Sequence, residues 1–140
     1  MAKGTTPKHV FIIDDTPAIL DLFRELLEEA GYAVTLDTFA GDLTDELARV
    51  QGANPDLIIL DFMIGGEQIG WQFLQMLKME RATANLPVII CTGAARQVSE
   101  LQGHLDAMSV AVVLKPFDID HLLNQVEQSL EGEFFASSPG

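Results

Sequence analysis

The chain predicts an α/β protein, a three-layer α/β/α sandwich on a five-stranded parallel sheet. Five short apolar runs (HVFII, YAVTL, LIIL, VIIC and VAVVL) alternate with five stretches of helical periodicity. Every crossover is long enough to hold a helix, so successive strands run parallel, and right-handed connections place helices on both faces. A length of 140 residues, without repeats or low-complexity segments, suits one domain around one sizeable core.

His9 to Ile13 reads as a strand buried on both faces and ends at Asp14 and Asp15. Thr16 as N-cap and Pro17 in the first turn start a helix whose apolar face is Ile19, Leu20, Phe23, Leu26 and Leu27, with Gly31 as its C-cap. Tyr32 to Leu36 is a more polar strand, suited to a sheet edge. A helix from about Asp42 to Val50 is closed by Gly52 and the turn at Asn54 and Pro55. Leu57 to Leu60 is wholly apolar and runs into Asp61, after which Gly65 and Gly66 break the pattern. Trp71, Phe73, Leu74 and Leu77 mark a third helix ending near Arg81, and Pro87 introduces the strand Val88 to Cys91. A weaker helix over 97–108 carries Val98, Leu101 and Leu105, with Gly103 lowering its propensity. Val110 to Leu114 is the fifth strand, and Asp118 caps a last helix through Leu122, Leu123, Val126 and Leu130. Residues 1–131 read as a single domain and 132–140 as a frayed tail or the start of a linker.

Eight Lys and Arg stand against 21 Asp and Glu, a formal charge of −13 that repels nucleic-acid phosphates and anionic lipid. No direct nucleic-acid or membrane partner is expected. The single cysteine, Cys91, sits in an apolar run and reads as a small core residue in a reducing compartment. Without a signal-peptide stretch or a bilayer-length apolar run, the expectation is a soluble cytoplasmic protein.

Parallel strands bring their C-terminal ends to one edge, where open α/β sheets bind ligands. The residues just past four of the five runs are Asp14 and Asp15, Asp61, Thr92 and Lys115. Each has a plain local explanation: Asp61 bonding its own turn, Asp15 capping the first helix, Thr92 forming a Ser/Thr turn before Gly93, Lys115 solvated at an edge. Together they place three carboxylates, a hydroxyl and an ammonium around one crevice. Crowded carboxylates repel unless a cation intervenes, and an oxygen-only set suits Mg²⁺. Asp61 could then act as a nucleophile toward phosphorus, with Thr92 and Lys115 sharing the charge of the transferred group.

With these residues in place, the chain resembles the receiver domain of two-component response regulators over about His9 to Leu130. The resemblance rests on the ordered set DD, D, T and KPF. It implies the flavodoxin-like strand order 2-1-3-4-5. It also implies that Asp61 accepts phosphate from a histidine kinase or phosphotransfer protein. Asp14, Asp15, Asp61 and the Met63 carbonyl would hold Mg²⁺, Thr92 would move to bond the phosphoryl group, and Lys115 would pair with it. A cis Lys115–Pro116 bond would aim the ammonium inward.

The chain departs from that pattern in three ways. Ile64, Gly65 and Gly66 replace the usual Met-Pro-Gly, with Gly70 and Trp71 about one residue late, so a longer loop is expected. The aromatic switch position falls on Val112. The charged interface set of the dimerising DNA-binding subgroup is missing, so a monomer or weak dimer with an unnamed downstream protein partner is expected. Met63 and Ala94, at positions that orient hydrolytic water in such receivers, lack strong hydrogen-bonding side chains and imply slow self-dephosphorylation. The leading reading is a phosphorylation-controlled switch rather than an enzyme acting on a separate substrate. A phosphorylation-independent interaction domain is the alternative, and an Mg²⁺-dependent phosphohydrolase a weaker third, since no second acid or base is evident near Asp61.

Overall fold

A computed structural model describes residues 6–131. The elements are β1 (His9–Ile13), α1 (Pro17–Glu29), β2 (Ala33–Asp37), α2 (Leu43–Ala53), β3 (Leu57–Leu60), α3 (Ile69–Met79), β4 (Val88–Thr92), α4 (Ala95–Glu100), α5 (Gln102–Ala107), β5 (Ala111–Leu114) and α6 (Ile119–Glu131). All neighbouring strands pair in parallel in the order β2-β1-β3-β4-β5, the expected flavodoxin-like sheet. The tail expected at 132–140 lies outside the described residues.

Side chains alternate across each strand, and the alternation splits the core into two layers. Phe11, Ile13, Ile58, Leu60 and Ile90 face Val50 of α2, Phe73, Leu74 and Leu77 of α3, Val98 of α4 and Leu105 of α5. Val10, Ile12, Leu57, Ile59, Ile89, Cys91 and Val113 face Leu20, Phe23 and Leu27 of α1 and Leu122 and Val126 of α6. β3 lies at the centre and is buried along its whole length. Each large apolar side chain taken out of water there contributes about 2 kcal/mol gross, which anchors the end of that strand.

Several expected boundaries move. The single helix expected over 97–108 is two, α4 and α5, separated at Leu101 (φ −109°, ψ 11°). The Leu101 N–H bonds the carbonyl three residues back, at Val98, and Gly103 adds little preference for continuing an unbroken helix. α2 continues through Gly52 to Ala53 and stops where Asn54 turns left-handed (φ 50°, ψ 56°) ahead of Pro55. Thr16 occupies the N-cap of α1 but makes no side-chain cap bond; its N–H donates to Asp14 Oδ1 (2.9 Å) instead. α3 starts at Ile69, two residues before Trp71, and ends at Met79. β4 includes Thr92 as its last residue. The C-cap of α1 is Ala30, and Gly31, expected there, follows it in the left-handed conformation (φ 99°), with Gly31 N–H bonding Glu28 O (3.0 Å) and Tyr32 N–H bonding Leu27 O (3.0 Å).

One buried acid escaped the sequence reading. Glu46 of α2 shares a helix face with Leu43, Leu47 and Val50 and is fully buried. Its Oε1 takes the Arg49 guanidinium, which also donates to Asp37 Oδ2 (2.9 Å), while its Oε2 has no protein partner. Burial, opposed by the Arg49 bond and reinforced by the charge of Asp37, pushes the Glu46 carboxyl up to about 7. A raised acid binds its proton more tightly in the folded chain, so stability falls as pH rises from 4.5 to about 7 and levels off above it. Glu46→Gln keeps the neutral form at every pH. Urea denaturation should find this variant more stable than the wild type above neutrality, by about 1–3 kcal/mol, with the difference gone in acid.

Candidate functional site

Backbone ladder bonds continue past the strand ends and set the candidate residues in one row. Asp14 N–H bonds Asp37 O (3.1 Å), Asp61 N–H bonds Ile13 O (3.0 Å), and Lys115 N–H bonds Thr92 O (2.8 Å). Thus the residues just beyond β1, β3 and β5 stand beside their neighbouring strands at the carboxyl edge, as the parallel sheet requires. The Lys115–Pro116 peptide bond is cis.

From the far edge strand the Lys115 side chain reaches across the sheet. Its Nζ donates to Asp14 Oδ2 (2.7 Å) and to Asp61 Oδ2 (3.1 Å). Asp14 is 1% exposed and Asp61 8%, so both ion pairs are largely shielded from water. Burial pushes the Asp14 carboxyl above its ordinary value against the pull of the Lys115 bond. Lys115 feels the reverse balance. Burial lowers its ammonium, and the bonds and charges of Asp14 and Asp61 outweigh that and hold it above the ordinary lysine value. Oxygens of Asp14, Asp15 and Asp61 lie within 4.8 Å of one another, a group able to hold a metal ion. The ammonium already serves as a cation for two of them, which is what a hard cation among these oxygens would also do.

The two remaining candidates are engaged locally. Thr92 is buried, and its Oγ1 accepts from the Ala94 N–H (3.2 Å) in the turn that a threonine before glycine suggests. Met63 N–H donates to Asp61 Oδ1 (3.2 Å), so the aspartate also makes the turn bond considered for it. Asp15, exposed, does not cap α1; its Oδ2 accepts from Gly65 N–H (2.7 Å) and ties the first loop to the one after β3. That loop folds on itself through reciprocal Ile64 and Glu67 backbone bonds (2.9 and 3.2 Å), with Gly65 (φ 63°) and Gly66 (φ 79°) supplying the left-handed turn that side-chain-bearing residues resist. The replacement of Met-Pro-Gly is therefore a built tight turn.

Gly70, noticed in the sequence only as displaced, has a steric task. A Cβ there would lie 1.8 Å from Asp61 O and 2.8 Å from Phe62 O, so α3 begins flush against the Asp61 and Phe62 carbonyls. Sequence offers one faint signal for it, a glycine inside an otherwise helical pattern. Cys91 is buried, and burial pushes its thiol to about 12, leaving it an inert core group.

Comparison with known proteins agrees with this geometry. The family model described as response regulator receiver domain matches residues 10–127. The DNA-binding dual master transcriptional regulator RpaA of Synechocystis is 35% identical over 124 residues, covering 87% of this chain and 48% of that protein. The phosphate regulon transcriptional regulatory protein PhoB of Pseudomonas aeruginosa is 28% identical over 124 residues, covering 88% and 52%. A CheY-like receiver domain protein from Methanospirillum hungatei has the same fold, with a TM-score of 0.77 at 23% identity, covering 94% of this chain and all of its own. The chain belongs to the response regulator receiver family of two-component systems, and it spans about half the length of these curated relatives. Among the described residues no helix is long and apolar enough to cross a membrane.

The Gly70 contact yields a direct test. Gly70→Ala must push α3 off the Asp61 and Phe62 carbonyls, and the urea midpoint should report a loss of about 2 kcal/mol or more.

Proposed function

We propose that this receiver domain, residues 1–131, takes a phosphoryl group onto Asp61 from a phosphohistidine of a sensor kinase or phosphotransfer protein. The observation that carries the reading is the half-buried ammonium of Lys115 bonded at once to Asp14 and Asp61 beside a third carboxylate, Asp15. Two largely buried acids with a third beside them repel one another without a counter-charge, and titratable groups gathered in this way at a sheet edge support a functional role. An Asp61 oxygen would attack phosphorus. The new O–P bond forms as the N–P bond of the donor breaks, and the departing imidazole nitrogen keeps the electron pair. Asp14, Asp15 and Asp61, with the Met63 carbonyl, would hold Mg²⁺, which when bound supplies positive charge for the phosphoryl oxygens.

The chain's own groups do the rest. Lys115 stays paired with Asp61 Oδ2 and is placed to neutralise a phosphoryl oxygen. Thr92 would exchange its bond from Ala94 N–H for one donated to the phosphoryl group, pulling the start of α4 with it. The domain turns over no separate substrate, and its output is a changed protein-binding surface, in the cytoplasm and without direct contact to nucleic acid. One feature favours a second reading, a phosphorylation-independent interaction domain. Val112, half-buried and paired with Ile90, offers no ring to follow a moving Thr92.

Acetyl phosphate with Mg²⁺ separates the two. Mass spectrometry should find one added phosphate on the wild type and none on Asp61→Asn or without Mg²⁺; an unmodified wild type would leave the second reading. With Met63 and Ala94 flanking the site, loss of the label should take minutes or longer, and decay within seconds would show that another group orients the water.

A further inference from the structure

The first turn of α3 is built onto the acceptor from two sides. Gly70 leaves the helix backbone directly against the Asp61 and Phe62 carbonyls, with no compressible side chain between them. Close-packed groups of this kind cannot absorb a displacement of the acceptor segment; they must pass it on or resist it. Phe62, next to Asp61 and fully buried, stacks on Trp71 at 6.0 Å between ring centroids and 28° between planes. Trp71 in turn meets the exposed ring of His104 in α5, edge to face, at 6.2 Å and 77°. A continuous line of contacts thus runs from the Asp61 peptide to α5.

The element at the far end is suited to respond. α5 has six residues and its helical bonding is broken from that of α4 at Leu101, the one residue that joins them. It is held to the body by Leu105 in the core and by His104 on Trp71. An edge-to-face aromatic contact fixes the relative position of the two rings, so a shift of Trp71 changes what holds His104.

We infer that the state of Asp61 is carried to α5 through the first turn of α3, with Trp71 as the transmitting side chain and His104 as the receiving one. The inference rests on the phosphoacceptor reading. It predicts that the surface of α5 responds to the acceptor by a route other than the Thr92 end of α4.

Beryllofluoride with Mg²⁺, applied to the full chain, tests it. Trp71 is the single tryptophan, so emission reports the middle of the route, and amide exchange of 102–107 reports its end. In the wild type the emission should shift and the α5 exchange should change. His104→Ala, a surface substitution that leaves the core intact, should keep the emission shift and lose the α5 response, while the response of 92–94 persists. Trp71→Leu, checked for folding by circular dichroism, should lose the α5 response and likewise keep that of 92–94. An α5 response unchanged in His104→Ala, or a silent Trp71 with the site occupied, would overturn the route. Occupancy is read separately from the fluorine resonance of the bound ligand. Its absence in the wild type would overturn the phosphoacceptor reading and this inference together, whereas occupancy with an indifferent α5 removes the inference alone.

Discussion

The Lys115 ammonium, shared between Asp14 and Asp61, is the interaction around which this edge of the molecule is organised. Two carboxylates nearly out of water, with a third within 4.8 Å, repel one another strongly unless a positive group stands among them. Lysine can fill that place from a distance because its flexible stem lets the charge cross strands that its backbone does not touch. The same requirement explains why the site lies where it does. Only the carboxyl edge of a parallel sheet gathers the ends of β1, β3, β4 and β5 within reach of one side chain.

Rigidity around Asp61 has a second source, in packing. The wholly buried β3 delivers Asp61 from the centre of the sheet, α3 sits against its carbonyl at Gly70, and Asp15 pins the following loop through Gly65 N–H. Asp61 is thereby held by strand, helix and loop at once, while its carboxylate keeps a little exposure to solvent. Thr92 differs. Its hydroxyl is spent on a single local bond, accepted from the Ala94 N–H. A second charged cluster, Asp37, Glu46 and Arg49, lies at the end of β2, one strand beyond Asp14, whose N–H bonds the Asp37 carbonyl.

Much of this was legible in the residues alone. Apolar runs of four or five residues fix strands by burial, a property each segment carries with it, and so β1, β3 and β4 are found within a residue of expectation. The set DD, D, T and KP marks the site because each residue is the first polar one after a buried run, and topology then makes them neighbours. Glu46 was not read from the residues: it stands at helical spacing from Leu43, Leu47 and Val50, but a carboxylate beside an apolar face ordinarily reaches solvent and only packing shows that this one is buried. Nor was the break at Leu101. Gly103 hinted at weakness, but whether a helix yields depends on how its two halves seat on the core, which is a property of the neighbours.

Composition and periodicity by themselves determined the layers, the parallel sheet, the acidic edge and the candidates Asp14, Asp15, Asp61, Thr92 and Lys115, since these follow from which segments avoid water and what ends them. Only the tertiary structure decided that Lys115 pairs with Asp14 as well as Asp61, that Asp15 bonds the loop after β3 rather than capping α1, and that Gly70 carries α3 against the Asp61 carbonyl. Those are contacts between residues far apart along the chain. Their geometry depends on distances of a few tenths of an ångström set jointly by many packed neighbours, and local pattern holds no record of such distances.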